Sequence, residues 1–273
     1  MQFAHQLLSV LGISAAAGVS AAYFKAKLPV WKRISEYAAR LADCKELAPP
    51  PSDEAHARMM KVAHFLARRF IGPITIEGGE DLAALPGPFV LVSNHAHPLD
   101  LVILNILLNR KARHPGAKGV LGLGGGLLAW WGAKYGMFSV DPEKGAAAYK
   151  TMVTVLEQGE IVYLFPEGWT HMTGMVHNFK TGASRAALEA SQKLGKTVAI
   201  VAVNIRYGWY PDESILKYHV AIQWLLSGFR FRNGARVVVS KPVNPLAQPD
   251  DPHAAASALK AIVVGLNPST KTA

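Results

Sequence analysis

A histidine and an aspartate stand five positions apart just beyond a short apolar run. The run is Phe89–Val92, and the polar segment Ser93–Asp100 that follows contains His95 and Asp100. A neutral imidazole takes a proton from a hydroxyl only when its other ring nitrogen is held in the right tautomer, and a carboxylate that accepts the N–H holds it. The spacing therefore suggests transfer of an acyl or similar group, with His95 as general base and Asp100 as its partner. From spacing alone, a loop histidine beside a helix-capping aspartate is the alternative.

A second segment repeats this design. The β-prone run at Ile161–Phe165 leads into Pro166, Glu167 and Gly168, so a carboxylate again follows a predicted strand. Phe179–Gly182, which contains Lys180, then precedes a helical pattern. In open α/β sheets, active sites lie beyond the carboxyl ends of the strands. We therefore expect the segments after the two predicted strands to face one crevice.

Together these motifs resemble the phospholipid/glycerol acyltransferase family, which contains the 1-acylglycerol-3-phosphate acyltransferases. The order and spacing of the motifs agree across about residues 75 to 245. The resemblance is carried by the N-H-x4-D pattern at Asn94, His95 and Asp100, by F-P-E-G at Phe165–Gly168, by F-K-x-G at Phe179–Gly182 and, more loosely, by Gly136–Asp141.

The resemblance implies a mechanism. His95, held by Asp100, deprotonates the hydroxyl of a lysophospholipid or related glycerolipid, which attacks the thioester of acyl-CoA or acyl-carrier protein. A thioester is already activated, so no metal and no further cofactor is expected. The substrate-binding residues implied by the family motifs are Asn94, Glu167, Gly168, Lys180 and Gly182.

The chain departs from the family pattern at two positions. Where relatives carry arginines associated with the acceptor's phosphate, this sequence has Pro142 and Thr170, and neither can grip phosphate as arginine's planar fork does. The acceptor therefore stays open. Either other cations form a looser positive pocket, or the acceptor is less charged and Trp169 suits it, unless Trp169 is a packed loop aromatic. The candidate cations are Lys144, Lys180 and Arg185.

Two further functions are compatible with these residues. A transacylase would move acyl chains between phospholipids with the same His95 and Asp100 but without coenzyme A. A non-catalytic lipid-binding protein would account for the missing arginines, and it would bind vesicles without turnover. A second histidine in the segment Ser93–Asp100, His97, precedes Pro98, which biases it toward an extended conformation. We therefore expect His97 to point away from His95, as a pocket-lining or surface side chain.

Composition indicates anionic partners. The formal net charge is +10 over 273 residues, which favours acidic membrane lipids, coenzyme A phosphates or acidic carrier protein. No nucleic-acid motif accompanies the charge, so nucleic acid is not expected as a partner. The sole cysteine, Cys44, excludes an internal disulfide and a multi-cysteine metal site. Oligomeric state is left open.

The first 72 residues are predicted to form hydrophobic and amphipathic helices that associate with a membrane. Leu7–Phe24 is an uncharged run near the lower length limit for a spanning helix, and it is followed by basic residues. If it spans, the basic flank places the catalytic domain in the cytoplasm. Peripheral attachment and packing against the domain are the alternatives. Asp53–Phe70 has an apolar face opposite basic residues, which suits either the head-group layer or the core.

Residues 73–273 are predicted to form one acyltransferase domain of the α/β class, a single mixed sheet flanked by helices. Apolar and β-branched runs alternate with helical patterns, as this class requires. Predicted helices are Asp100–Asn109, Glu143–Gln158 and Ala183–Leu194, and predicted strands include Val198–Ile205, Tyr218–Leu225 and Ala235–Ser240.

Overall fold

One mixed sheet organises the computed structural model, which describes residues 21–44, 46–122, 126–141, 145–211, 215, 233–267 and 271–272. Within these residues, seven strands are hydrogen-bonded in the order β1-β8-β7-β2-β5-β3-β4. Neighbouring strands are parallel except β7 and β8, so β8 and β1 run against the rest. The strands are β1 Ile74–Glu77, β2 Val90–Ser93, β3 Ala112–Ala117, β4 Met137–Val140, β5 Ile161–Leu164, β7 Ile200–Tyr207 and β8 Ala235–Val239; β6 Met175–Val176 pairs separately with β9 Lys271–Thr272.

Helices cover both faces of this sheet, which confirms the predicted class. They are α1 Ala21–Ala42, α2 Asp53–Leu66, α3 Asp100–Leu108, α4 Lys118–Leu121, α5 Leu127–Ala133, α6 Gly145–Glu157, α7 Gly182–Leu194 and α8 Pro252–Gly265, with 3-10 turns at Glu80–Leu82 and Pro245–Ala247. The central strands β2 and β5 are buried at every position. Their apolar residues are therefore continuous instead of alternating with polar ones, as in strands covered on both sides.

Successive residues of a strand point to opposite faces, and this alternation divides the core into two layers. Leu91 packs in one layer with α3, which supplies Ile103 and Leu104. Val90 and Val92 pack in the other layer against α6, α7 and α8. A third, smaller cluster joins the end of α1 to α5 through side chains that include Leu41 and Ala129.

The helix that starts at Asp53 packs on the domain with part of its surface only. Ser52 caps it by accepting a hydrogen bond from the Ala55 N–H at 3.1 Å. Its α-helical part ends at Leu66, before the predicted end at Phe70, and a π-helical turn continues over Ala67–Ile71. Ala63 and Ile71 are buried, whereas Val62 and Phe65 are 53% and 65% exposed. Packing on the domain is thus observed for one side of this helix, and contact of the exposed side with a membrane stays a prediction.

Several predicted features fall outside the described residues. They are residues 1–20, with most of the uncharged run Leu7–Phe24, the predicted strand Tyr218–Leu225, and Pro142 and Lys144. Among the residues that are described, none of the helices combines the length and apolarity needed to cross a membrane.

Candidate active site

Two neighbouring parallel strands bring the N-H-x4-D and F-P-E-G segments to one edge of the sheet. β2 and β5 pair with Val92 opposite Leu164, so the segments after them leave the sheet side by side. His95 follows β2 by two positions, Glu167 follows β5 by three, and α3 begins at Asp100. This pairing places the ends of the two strands together, as the sequence predicted.

His95 and Asp100 are in direct contact. The Nδ1 atom of His95 lies 3.0 Å from Oδ2 of Asp100, whose side chain is completely buried. Asp100 also accepts hydrogen bonds from the His97 N–H at 2.8 Å and from the Tyr207 hydroxyl at 2.7 Å. A carboxylate that only accepts requires the proton on His95 Nδ1, which leaves the Nε2 lone pair free to receive a proton. The imidazole is thus in the tautomer that a general base needs.

The Nε2 atom faces a hydroxyl that the chain itself supplies. Oγ1 of Thr170 lies 2.7 Å from it, and in this tautomer the hydroxyl donates to the imidazole. Thr170 stands where the related pattern has an arginine. On the other side, the ring of Phe165 stacks on the imidazole with centroids 3.9 Å apart, which restricts its rotation.

Glu167 links the loop after β2 to the loop after β5 by hydrogen bonds instead of facing the cavity. Its Oε1 accepts the His95 N–H at 2.8 Å, and its Oε2 accepts the His177 N–H at 3.2 Å. Burial raises the pKa of Glu167, while these two backbone N–H groups act in the opposite direction. The predicted role in substrate binding is therefore indirect in this geometry: Glu167 holds the backbone of the base.

Asn94 likewise lies behind the site. Its side chain donates to the Ile205 carbonyl at 2.8 Å and accepts the Ile205 N–H at 2.7 Å, which ties the loop after β2 to β7. Both polar ends of the amide are used by backbone. Asn94 is fully buried and is not among the residues that line the cavity.

The prediction for His97 is wrong. We expected a pocket-lining or surface side chain, but His97 is completely buried. Its Nδ1 accepts the Leu99 N–H at 3.0 Å, and its ring meets the edge of Tyr207, so local bonding turns it into the protein. Burial lowers the pKa of His97 to about 4, which keeps the imidazole neutral.

A cavity of about 640 Å³ opens beside His95, within the range of ligand pockets. Of the predicted binding residues, it includes Gly168, Lys180 and Gly182. Trp169 lines it and stays 54% exposed, so it is not a packed loop aromatic. Other lining residues include Pro98, Leu101, His114, Leu121, Met137, Val140, Asp141, Tyr149, Met152, Leu164, Phe165, Thr170 and Arg185.

Two cationic side chains of the described residues line this cavity. Lys180 passes over Gly168, which has a φ of 77° and where an added Cβ would be 2.6 Å from the lysine Nζ. The Arg185 guanidinium lies over the ring of Tyr149, 4.4 Å from its centroid, and the Tyr149 hydroxyl donates to Glu189. Of the three cations considered from sequence, Lys180 and Arg185 are thus available to a negatively charged substrate group.

Three side chains of the described residues are close enough to share a metal ion. They are Glu167, His171 and His177, each offering an atom within 4.8 Å of the others. The two imidazoles, however, stack with centroids 3.6 Å apart and planes 19° from parallel. Nitrogen lone pairs lie in the ring plane, so in this arrangement they run side by side instead of converging on one ion. Glu167 is also engaged by two backbone N–H groups.

Sequence reasoning missed two groups at the dyad. Tyr207, 107 positions from Asp100, donates to its carboxylate, and no local pattern in β7 marks it. Thr170 was noted only as a lost arginine, although its hydroxyl contacts the base. A hydroxyl residue close to the F-P-E-G turn was the one available signal for Thr170.

Comparison with known proteins adds sequence and fold relatives. A model of the family described as Acyltransferase matches residues 73–206. A chloroplastic 1-acyl-sn-glycerol-3-phosphate acyltransferase of Arabidopsis thaliana is 27% identical over 155 residues, which cover 53% of this chain and 41% of that protein. The alpha form of 1-acyl-sn-glycerol-3-phosphate acyltransferase from Homo sapiens is 33% identical over 107 residues, 38% of this chain and 37% of the human protein. The matches thus span about two fifths of the length of these relatives.

Among solved structures, the 1-acyl-sn-glycerophosphate acyltransferase of Thermotoga maritima has a similar fold. The TM-score is 0.52, the sequences are 16% identical, and the match covers 76% of both chains. At this identity the similarity concerns the fold alone.

Proposed function

We propose that the protein transfers a fatty acyl group from an acyl thioester to the hydroxyl of a lysophospholipid or related glycerolipid, because residues 73–206 match the Acyltransferase family model and the similar proteins are 1-acyl-sn-glycerol-3-phosphate acyltransferases. His95 is the general base and Asp100 orients it. The donor is acyl-CoA or acyl-carrier protein. The enzyme works at a membrane surface, with its catalytic domain on the cytoplasmic side.

The observation that carries this proposal is the state of the His95 imidazole at the cavity wall. Asp100 accepts the Nδ1 proton at 3.0 Å, and Nε2 already receives a hydroxyl hydrogen bond at 2.7 Å. The geometry is that of a base poised to take a proton from an alcohol oxygen. When that oxygen attacks the thioester carbonyl, the carbon–sulfur bond breaks, and the imidazolium can return the proton to the departing thiolate.

The cavity supports a substrate with an apolar chain and a charged end. Apolar side chains such as Leu121, Met137 and Met152 line it, which suits a fatty acyl chain. Lys180 and Arg185 line the same cavity and suit a phosphate group. The names of the relatives indicate a 1-acylglycerol-3-phosphate acceptor. Because Thr170 replaces an arginine of the family pattern, the acceptor class proposed here includes lysophospholipids with larger head groups.

The test is acyl transfer from labelled acyl-CoA and, in parallel, acyl-carrier protein to a panel of lysophospholipids that includes lysophosphatidate. We expect product with wild type and a loss of on the order of 1,000-fold or more in His95→Ala. His253→Ala, at an exposed position of α8, is the matched control and should keep full activity.

Other outcomes select among the alternatives. Equal activity in wild type and His95→Ala would exclude the proposed base. Acyl exchange between phospholipids in the absence of any thioester would identify a transacylase. Vesicle binding by folded protein, without product from any donor, would indicate a lipid-binding protein.

A further inference from the structure

We propose that Thr170 makes the site select an anchored alcohol over water, because its hydroxyl occupies the Nε2 atom of His95 until the acceptor hydroxyl displaces it. This inference rests on the proposed acyltransferase function and leaves the direct attack of the acceptor on the thioester unchanged. It concerns a side reaction. Water is far more abundant than any lipid acceptor, and a base that activates an alcohol beside a thioester also activates water.

The side reaction uses the same groups as acyl transfer. A water molecule gives a proton to Nε2 of His95 and attacks the thioester carbonyl. The carbon–sulfur bond breaks, and the imidazolium returns the proton to the departing thiolate. The products are a fatty acid and a free thiol, so the acyl donor is consumed without acylated lipid. A contact that keeps water off Nε2 while no acceptor is bound prevents this loss.

The His95 imidazole offers water a single acceptor atom, and Thr170 fills it. Nδ1 donates to Asp100 at 3.0 Å, so only the Nε2 lone pair can accept a proton. Oγ1 of Thr170 lies 2.7 Å from Nε2. The ring of Phe165 covers one face of the imidazole, and the His95 side chain is 15% exposed. While the Thr170 hydroxyl donates, water finds no free lone pair on this base.

The loop around Thr170 is held against the base by hydrogen bonds. Glu167, three residues before Thr170, accepts the His95 N–H at 2.8 Å. His171, the next residue, donates its N–H to the His95 carbonyl at 3.0 Å. Both backbone polar groups of His95 are thus bonded to residues on either side of Thr170. Contact between hydroxyl and base is therefore the resting arrangement, and a change of the Thr170 χ1 rotamer releases Nε2 without moving the loop.

An anionic acceptor has an anchor in this cavity that water lacks. Lys180 and Arg185 line the same cavity as His95 and Thr170. A phosphate held by these cations accepts charge-assisted hydrogen bonds, which are stronger than the neutral bond from Thr170 to His95. Once anchored, the acceptor's own hydroxyl stands at a high effective concentration beside Nε2 and replaces Thr170 there. Because water binds without this anchor, Thr170 excludes water more strongly than it excludes the acceptor.

The experiment compares hydrolysis with transfer. The protein of residues 1–273 is mixed with palmitoyl-coenzyme A, or with palmitoyl-carrier protein if only that donor supports transfer. Thiol release is measured without acceptor, and acylated lipid is measured with the best acceptor of the lysophospholipid panel. In Thr170→Val, nearly the same shape without the hydroxyl, we expect thiol release without acceptor to rise about two- to tenfold, the factor of one ordinary hydrogen bond. The KM for the acceptor should fall by a similar factor, with a smaller change in the kcat of transfer.

Further variants separate the Thr170 hydroxyl from its surroundings. Thr170→Ser keeps the hydroxyl and should keep the wild-type ratio of transfer to hydrolysis. Thr154→Val is the matched control: it removes an exposed hydroxyl of α6 that donates to the Lys150 carbonyl, and it should behave as wild type. The double variant His95→Ala/Thr170→Val should lose the added thiol release, because that hydrolysis depends on the base.

The possible failures are distinguishable. Transfer by Thr170→Val with wild-type hydrolysis and a wild-type KM for the acceptor would overturn this inference and leave the proposed function standing. Loss of transfer and hydrolysis together in this variant would also overturn it, because the reaction would then require the Thr170 hydroxyl. Absence of transfer and of His95-dependent hydrolysis in wild type would overturn the proposed function as well. If Thr170→Val does not fold, Thr170→Ala provides the same test.

Discussion

At the scale of single residues, the Asp100 carboxylate depends on a partner far away in the chain. The Tyr207 hydroxyl donates to Asp100 Oδ1 at 2.7 Å, and both side chains are buried. A buried carboxylate oxygen that loses its donor is costly, by about 1–3 kcal/mol. Tyr207 therefore positions the dyad without touching substrate.

We expect Tyr207→Phe to lower the kcat of acyl transfer about tenfold, the effect of roughly 1.4 kcal/mol on the barrier, with little change in KM. Tyr163→Phe is the control: that buried hydroxyl contacts Asn105, away from the dyad. Equal losses in the two variants would indicate general destabilisation instead of positioning.

A second residue-scale prediction concerns acid stability. Burial lowers the pKa of His114 to about 4, and its ring stacks on Tyr163 with centroids 4.8 Å apart. An unfolded histidine titrates near pH 6.5. Between these values the unfolded chain binds a proton that the native protein excludes, so the free energy of unfolding falls as pH falls. One such histidine removes about 2 kcal/mol between pH 7 and pH 5.

Replacing it with His114→Phe should remove this contribution. Urea titrations at pH 7 and pH 5 should show a loss of stability smaller by about 2 kcal/mol than in wild type, whatever the effect on stability at pH 7. Comparing the two proteins cancels groups that act oppositely, such as Glu167, whose pKa burial raises. An unchanged difference between the two pH values would show that His114 is protonated in the native protein near pH 6.

The sequence could predict the site residues whose contacts lie within one local segment, but not those whose contacts depend on the pairing of distant strands. His95 and Asp100 lie within one local segment, so their spacing indicates the contact between them. Tyr207 reaches Asp100 only because β7 pairs with β2. The sequence of neither strand specifies that pairing. His97 turns inward through a bond to Leu99, a matter of side-chain rotamer that a spacing pattern does not specify.

At the scale of elements, the turn after β5 depends on a glycine that has two separate requirements. Gly168 has a φ of 77°, which costs other residues about 1 kcal/mol or more, and it lies under the Lys180 side chain. Gly159 has nearly the same φ, 81°, but nothing within 4 Å of an added Cβ. A comparison of substitutions at Gly168 and Gly159 therefore separates the effect of backbone strain from the effect of the contact with Lys180.

Both Gly168→Ala and Gly159→Ala should therefore lose similar stability, about 1–2 kcal/mol. Gly168→Ala should in addition raise the KM for the acyl donor or acceptor severalfold, because the methyl group displaces the lysine ammonium from its place in the cavity. Thermal unfolding and steady-state kinetics on the two variants provide the comparison. Equal kinetics would mean that Lys180 moves freely and contributes nothing by its position.

Element boundaries illustrate where local patterns stop being informative. β7 was predicted over Val198–Ile205 and is observed over Ile200–Tyr207. The apolar pattern is interrupted by Arg206, but the ladder with β8 continues to the pair Tyr207 and Ala235, so partner strands set the end. The α/β class followed from the alternation of predicted strands and helices. The positions and reversed directions of β1 and β8 follow from long-range pairing.

At the scale of the whole molecule, charge and exposed apolar surface occur together on α2. Val62 and Phe65, three positions apart, are exposed on a helix that packs on the domain through Ala63. Basic residues Lys61 and Arg69 are on the same segment, and the chain carries a net charge of +10. Aromatic and aliphatic side chains beside basic ones bind the head-group layer of anionic membranes.

The protein of residues 1–273 should therefore bind vesicles rich in phosphatidylglycerol better than phosphatidylcholine vesicles, and salt should weaken the binding. Burying Phe65 and Val62 in lipid stabilises the bound state by a few kcal/mol at most. The double variant Val62→Ser/Phe65→Ser should weaken vesicle binding about tenfold or more while leaving acyl transfer to detergent-dispersed substrate unchanged. Leu246→Ser, at a 54% exposed leucine elsewhere on the surface, should affect neither. If both variants bind as wild type does, attachment does not depend on this side of α2, and the lipid reaches His95 from another face of the domain.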